Sequence, residues 1–344
     1  IGNPPFGHAG EDAIRDWFWN HSVRYLRGLD LTPQQIGDLL AFEGNAQGFR
    51  ILTKLQGWRA RGGLQLSCAT LGVFMKYPFP VDPRLADERV TGTSTHTAKF
   101  GYFQADAAAF RAVCEELGLL HLGDGRFARH PLAFLVEAAD DICYSIVDIE
   151  DAFKFGLMDF GMAEDVLLRI IGRRPGRYDL LIGDGADQSD RIQYLRAKAI
   201  GELVDQTVRA YRTHYDAIMA GAFADDLLDH VESAAGVAEI RELCERHLYG
   251  SRQKVERELM GFSVVHGLLE IFVEAVHHWG LAGGDRTALA PKYRRVLDFI
   301  TGLGSTLPTE PYERLLFVTD IVSGMTDSFA LTTYRKLKGI SYAD

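Results

Sequence analysis

Pro131-Leu-Ala-Phe-Leu-Val-Glu-Ala-Ala-Asp-Asp-Ile-Cys-Tyr-Ser-Ile-Val-Asp-Ile-Glu-Asp-Ala-Phe153 is the stretch whose reading decides the fold. Wound at 100° per residue, it puts Leu132, Leu135, Val136, Ala139, Ile142, Cys143, Ile146, Ile149 and Phe153 on one broad arc, the pattern of a core-facing helix. Its other face gathers Glu137, Asp140, Asp141, Tyr144, Asp148 and Asp151 within an arc of about 100°. Like charges three and four residues apart repel. A stripe of five carboxylates therefore needs either full solvation or a cation against it, and the residues alone leave both open.

Outward from this helix the 3.6-residue period dominates. Upstream, helices are expected from His8 to about Arg27, from the Thr32-Pro33 cap to about Phe42, from Asn45 to Leu55, from Leu66 to Lys76 and from Asp106 to Leu117. Residues 78–97, rich in Pro, Gly, Thr and Ser, read as a loop or small hairpin. Lys99 to Phe103 is a candidate strand, with Phe127-Ala-Arg129 as a second beyond a turn at Gly123-Asp-Gly125. Downstream, helices are expected over Ala163–Ile171, Ser189–Met219, Ala224–Val231, Val237–His247, Gln253–Trp279, Lys292–Gly302 and, as one long element, Pro311–Lys338. The fold class is all-α with a small β-hairpin or loop excursion, and Gly172-Arg-Arg-Pro-Gly176 marks a break.

Composition narrows the function. The 344 residues are 47% apolar and 24% charged, enough for one large core or two smaller ones. A net charge of −10 argues against general affinity for nucleic acid but not against a local basic channel. Cys68, Cys114, Cys143 and Cys244 have no paired spacing and read as thiols in a reducing compartment, hence a cytoplasmic protein. No uninterrupted apolar run of about 18 residues suggests a membrane partner.

Several motifs point further. Ile1-Gly-Asn-Pro-Pro-Phe-Gly-His-Ala-Gly-Glu11 and Glu137-Ala-Ala-Asp-Asp-Ile-Cys-Tyr144 resemble the bacterial dGTP triphosphohydrolases of the HD-domain superfamily. So do Phe42-Glu-Gly-Asn-Ala-Gln-Gly-Phe-Arg50, Met75-Lys-Tyr-Pro78, Lys99-Phe-Gly-Tyr-Phe-Gln104 and Ser323-Gly-Met-Thr-Asp-Ser-Phe-Ala330. The resemblance runs over most of the chain, in family order. It implies a helical, metal-dependent phosphohydrolase releasing intact triphosphate from a deoxynucleoside triphosphate, dGTP first. Residues 1–160 would be an N-terminally incomplete catalytic core, with 161–344 a helical region packed on it in one continuous domain. In that family the Ile-Gly-Asn-Pro-Pro-Phe-Gly-His segment follows a metal-ligating His-Asp pair, with another His ligand further upstream. Three of four expected ligands are thereby placed ahead of Ile1, and a chain lacking them is expected to show no turnover.

The same resemblance assigns roles. Asp140 takes the fourth metal-ligand position, for Mn, Mg, Co or Fe, with Asp141 as its neighbour. Tyr144 and Asp148 follow at spacings of four and eight, so one ridge can read metal, phosphate and the sugar 3′-hydroxyl. His8 and Glu11 match a pair beside the α-phosphate, where a carboxylate-polarised imidazole can carry a proton. Lys76 and Tyr77 match triphosphate contacts, Asn45 a nucleotide contact, and Glu270 and Arg294 regions shaping the base pocket. Homo-oligomers, commonly hexamers, are usual in the family.

Other residues read as structure. His277 and His278 point about 100° apart on a helix and would rarely share an ion. Trp17 lies on an apolar stripe, although Trp17, Trp19 and Trp58 could stack bases. Met325-Thr-Asp327 reads as packing for the final helix. Two other functions remain: a metal-free helical scaffold binding nucleotide or single-stranded DNA or pairing with a homologous subunit, and a relaxed-specificity HD nucleotide phosphohydrolase. The residues ahead of Ile1 discriminate the first, and a product assay the second.

Overall fold

The computed structural model describes residues 1–57, 63–84, 99–172, 187–250, 252–302 and 306–340. The chain divides into two compact units, residues 1–128 with 257–344, and residues 129–256. The described residues form fourteen α-helices and one two-stranded antiparallel sheet, so the all-α expectation with a small β excursion holds.

In chain order the first unit contains α1 (His8–Tyr25), α2 (Pro33–Leu40), α3 (Gly44–Arg50, continued by a wider turn over Ile51–Leu55), α4 (Cys68–Phe74) and α5 (Ala107–Glu116). The strands β1 (His121–Gly123) and β2 (Arg126–Phe127) follow. The second unit holds α6 (Ala133–Lys154), α7 (Phe160–Ile171), α8 (Gln188–Thr213), α9 (Tyr215–Met219) and α10 (Ala234–Cys244). After α11 (Arg252–Leu281) come α12 (Pro291–Thr301), α13 (Pro311–Ser323) and α14 (Asp327–Leu337).

Local chemistry explains many boundaries. Thr32 caps α2 through a reciprocal box with Gln35, with Pro33 at the first helical position. Ser67, Asp159, Asp187 and Thr326 cap α4, α7, α8 and α14 by accepting a backbone N–H three residues on. The Thr326 cap also corrects an expectation. Pro311–Lys338 is not one helix, because α13 ends at Ser323 and α14 begins at Asp327, bent by 111°.

Two further expectations are corrected. Lys99 to Phe103 is not a strand; β2 pairs with His121–Gly123 across a turn in which Asp124 takes φ 49°. Ala224–Val231 is not an α-helix but holds a tight turn at Leu227–His230. Most of the loop expected over residues 78–97 lies outside the described residues, as do Arg173 to Gly176 of the break and Trp58.

The first unit's main core mixes aromatic and aliphatic side chains. Trp17, Phe18, Phe42, Phe100 and Phe103 meet Val264, Val265, Leu268, Leu269, Phe272, Val273 and Val276 of α11, and Leu316, Val318 and Val322 of α13. Each such side chain contributes about 1.5–3 kcal/mol by leaving water. Within Lys254–Leu281 of α11 an 18-residue window is apolar enough to cross a membrane, with a mean hydropathy of 1.7, yet 56% of that window is buried. Glu270 and Glu274 interrupt it. Trp17 is core, as expected.

In the second unit α6 contributes Phe134, Ala138, Ile142, Ile146, Ile149 and Ala152, packed with Val166, Leu167 and Ile170 of α7. Ile192, Leu195, Ala199 and Leu203 of α8 and Val237, Ile240 and Cys244 of α10 complete this core. The buried face of α6 is thus turned roughly 75° from the expected arc. Leu132, Val136, Ala139 and Cys143, expected inside, are exposed. The small side chains of Ala138, Ser145 and Ala152, all buried, allow close helix approach, whereas the expected arc was weighted toward larger apolar residues.

Candidate active site

Two glycine-bearing segments far apart in sequence fold onto each other in the first unit. A Cβ on Gly2, at φ 93°, would lie 2.0 Å from the Gly44 carbonyl oxygen, and one on Gly48 would lie 3.0 Å from the Ile1 carbonyl oxygen. Residues 1–3 therefore run directly against α3, leaving no room for side chains at the contact. A Cβ on Gly44 would come 2.3 Å from Glu11 Oε1. The carboxylate instead accepts a hydrogen bond from Gly44 N at 3.0 Å.

Glu11 is buried, and its Oε2 accepts from Arg15 Nη2 at 3.0 Å, one helical turn on. Arg15 also donates through Nε to the Phe42 carbonyl and through Nη1 to Asp12. Next to Gly44, fully buried Glu43 accepts from Asn45 N at 2.6 Å and from Asn45 Nδ2 at 3.1 Å. Lys99 Nζ sits 2.9 Å from Glu43 Oε1. Burial, and after it the charge of Glu43, holds the Glu11 carboxyl above the ordinary carboxylate range, against Arg15, Lys99 and His8.

His8, Glu11 and Asn45 are therefore brought into one neighbourhood. His8 is exposed in the first turn of α1; Asn45 is engaged by Glu43. Lys76 and Tyr77 lie just beyond α4 instead of ending it, with Lys76 Nζ 5.6 Å from the centre of the Tyr77 ring. Glu270 is exposed on α11 and pairs with Lys338 at 3.1 Å, and Arg294 is exposed on α12. Asp327 Oδ1 accepts from Phe6 N at 2.8 Å, so Met325-Thr-Asp327 ties the start of α14 to the first residues. His277 packs edge-on against Tyr25 and His278 stacks on Tyr293, as their packing assignment requires.

In the second unit the acidic stripe of α6 is divided by arginines. Glu137 turns inward, buried, with Arg129 Nη1 and Nη2 at 2.6 and 3.2 Å. Asp141 is half-buried, with Arg241 Nη2 of α10 at 3.4 Å. Asp140 is exposed, Tyr144 is 53% exposed and Asp148 is half-buried. Tyr144 and Asp148 line an open pocket of about 130 Å³ between α6 and α10, together with Asp141, Ser145, Ile240, Arg241 and Cys244. Burial, then Asp140 and Asp148, raises the Tyr144 phenol, and burial, then Asp148, lifts the Cys244 thiol to about 12.

The chemistry of the donors tests the metal expectation. Asp140 offers a hard oxygen to a divalent cation, but among the described residues no group of three or more His, Cys, Asp or Glu side chains could hold an ion. One carboxylate does not make a metal centre, so among the described residues Asp140 is a single donor that would serve as one ligand of a larger set.

Arg15, Glu43, Lys99 and Arg241 were not singled out from sequence. Arg15 was accessible from its spacing of four from Glu11. Glu43 stood inside a quoted motif, and only folding shows it reaching Lys99, 56 residues on.

No protein-family model matches the chain. It is 36% identical over 345 residues to a deoxyguanosinetriphosphate triphosphohydrolase-like protein of Pseudomonas aeruginosa, covering 99% of this chain and 75% of the relative. It is 38% identical over 350 residues to a protein of the same description from Synechocystis, with the same shares covered. The deoxyguanosinetriphosphate triphosphohydrolase of Yersinia pseudotuberculosis is 28% identical over 398 residues, covering 98% of this chain and 76% of the relative. At these identities and coverages the chain belongs to the deoxyguanosinetriphosphate triphosphohydrolase-like family.

Proposed function

We propose that this protein hydrolyses dGTP, or another deoxynucleoside triphosphate, to deoxynucleoside and inorganic triphosphate. Water attacks the α-phosphorus, the bond from that phosphorus to the sugar 5′-oxygen breaks, and the departing oxygen takes up a proton. His8 carries that proton, and Glu11, held at one edge by Gly44 N and at the other by Arg15, supplies the negative charge beside it. Tyr144 faces phosphate and Asp148 accepts from the 3′-hydroxyl. Lys76 and Tyr77 meet the triphosphate tail, Asn45 the nucleotide, and Glu270 and Arg294 border the base.

Asp140 is the hard oxygen this chain would offer a divalent cation, which would balance charge at the phosphorus. Assembly into homo-oligomers belongs to the same reading, as does a reducing, cytoplasmic setting suited to four free cysteines.

Family membership supports this reading, and the observation that carries it is the junction of two family motifs at one carboxylate, Glu11 Oε1 on Gly44 N. The test is product analysis after incubating the full-length protein with dGTP and Mn or Mg. Deoxyguanosine and intact triphosphate are expected in equal amounts. Pyrophosphate with dGMP would overturn the reaction assigned.

A further inference from the structure

We propose that Glu43 and Lys99 are a charge pair set behind Glu11 to govern whether that carboxyl carries a proton; this rests on reading Glu11 as the carboxylate that serves His8. The geometry is a pair of acids on consecutive amides. Glu11 Oε1 takes Gly44 N at 3.0 Å and Glu43 Oε2 takes Asn45 N at 2.6 Å, so two carboxyl groups, 3% and 0% exposed, converge on one short piece of backbone. Two carboxylates crowded out of water cannot both ionise without nearby positive charge.

The charges facing Glu11 come from three segments. On its own helix stand Arg15, His8 one turn earlier, and Asp12, which shares Arg15 Nη1. From the start of α3 comes Glu43, and from the segment ahead of Phe100 comes Lys99, committed to Glu43 at 2.9 Å. Asp12 draws on Arg15, so the balance at Glu11 turns on how fully Lys99 cancels Glu43. Burial and the Glu43 charge already hold the Glu11 carboxyl above the ordinary carboxylate range. Glu43 and Lys99 are positioning residues in this scheme, because neither needs to touch a substrate.

The test follows the Glu11 carboxyl in the intact protein by carbon-13 NMR of glutamate-labelled samples, with Glu11→Gln identifying the resonance. Glu43→Gln removes the competing charge and is expected to lower the Glu11 midpoint by about one pH unit. Lys99→Met leaves Glu43 uncompensated and is expected to raise it by a similar amount, with Lys99→Arg returning it to the wild-type value. The matching limb of the dGTP turnover profile should move in the same two directions. A merely structural role would lower the melting temperature without shifts of opposite sign.

An unmoved midpoint in both charge-removing variants, or one moved the same way by both, overturns the proposal. Should Lys99→Met fail to fold, Glu43→Gln still decides the matter. If the midpoints shift as expected but Glu11→Gln turns over dGTP normally, the coupling stands and the catalytic reading of Glu11 falls.

Discussion

In the unit formed by residues 1–128 and 257–344, Glu11, Asp38, Glu43 and Asp106 lie out of water, answered by arginines, a lysine, a tyrosine or backbone N–H groups. Arg50 is the largest such answer. It is 3% exposed, reaches Asp320 through Nε and Nη2 at 2.8 and 2.9 Å, and reaches Asp106 through Nη1 at 3.0 Å. Along α6 in the other unit, Asp140 and Tyr144 face solvent. Buried acids demand a fixed partner each and so hold three segments of chain together; acids on a wet ridge cost the fold little and are available to a substrate or an ion. Exposure thus distinguishes acids that tie segments together from acids open to a ligand, with Glu11, buried yet one turn from His8, doing both.

Arg50→Met is the strongest way to break this contrast, since it strands two carboxylates. A loss of about 3–5 kcal/mol in unfolding free energy is expected in a urea melt; a loss near zero would mean the buried acids are not scaffold.

Asp38 gives the contrast a pH dependence. Burial raises its carboxyl to about 8, although Gln104 N and the Tyr312 hydroxyl both donate to Oδ2. Oδ1 has no hydrogen-bond partner among the described residues. Its folded pKa lies above the unfolded value, so the folded state keeps a proton the unfolded state has lost. Stability should therefore fall as pH rises from about 4 to about 8, by a few kcal/mol at ~1.4 kcal/mol per unit of difference. Thermal melts of Asp38→Asn across that range should show a flatter dependence than the wild type.

Asp140→Ala tests the wet ridge from the other side. Unfolding free energy should change by less than about 0.5 kcal/mol, while dGTP turnover should drop by more than about a hundredfold, or ~2.7 kcal/mol of barrier. The reverse pattern would place Asp140 in the scaffold. The smallest effect is expected at the half-exposed pair of Arg241 with Asp141, where Arg241→Met should cost under about 1 kcal/mol, read by the same melt.

What was legible in the sequence followed what is local. The Thr32-Pro33 start of α2, the extent of α6 and the turn at Gly123–Gly125 all come from neighbours within four residues. The rotation of α6 was not legible, because the core selected small side chains such as Ala138 and Ser145 over the more hydrophobic Leu132 and Val136. The Arg50 network joins residues 56 and 270 positions apart in sequence, and no periodicity signals such a pairing. The candidate site divides similarly. The row Asp140, Tyr144, Asp148 follows from helical spacing, and placing two of its members on a cavity wall with Arg241 and Cys244 required α10 to pack beside it.

The seam where Ile1–Asn3 lies against α3 bears on how mutational maps of this protein should be interpreted. A methyl group at Gly2 would run into the backbone of Gly44 and Gly48, one at Gly48 into the Phe74 ring and the Ile1 carbonyl, and one at Gly44 into the Glu11 carboxylate, so a saturation scan would mark all three as intolerant while none bears a reactive group. Intolerance there measures the closeness of two chain segments, and separating it from loss of chemistry at Glu11 calls for scoring protein abundance alongside turnover.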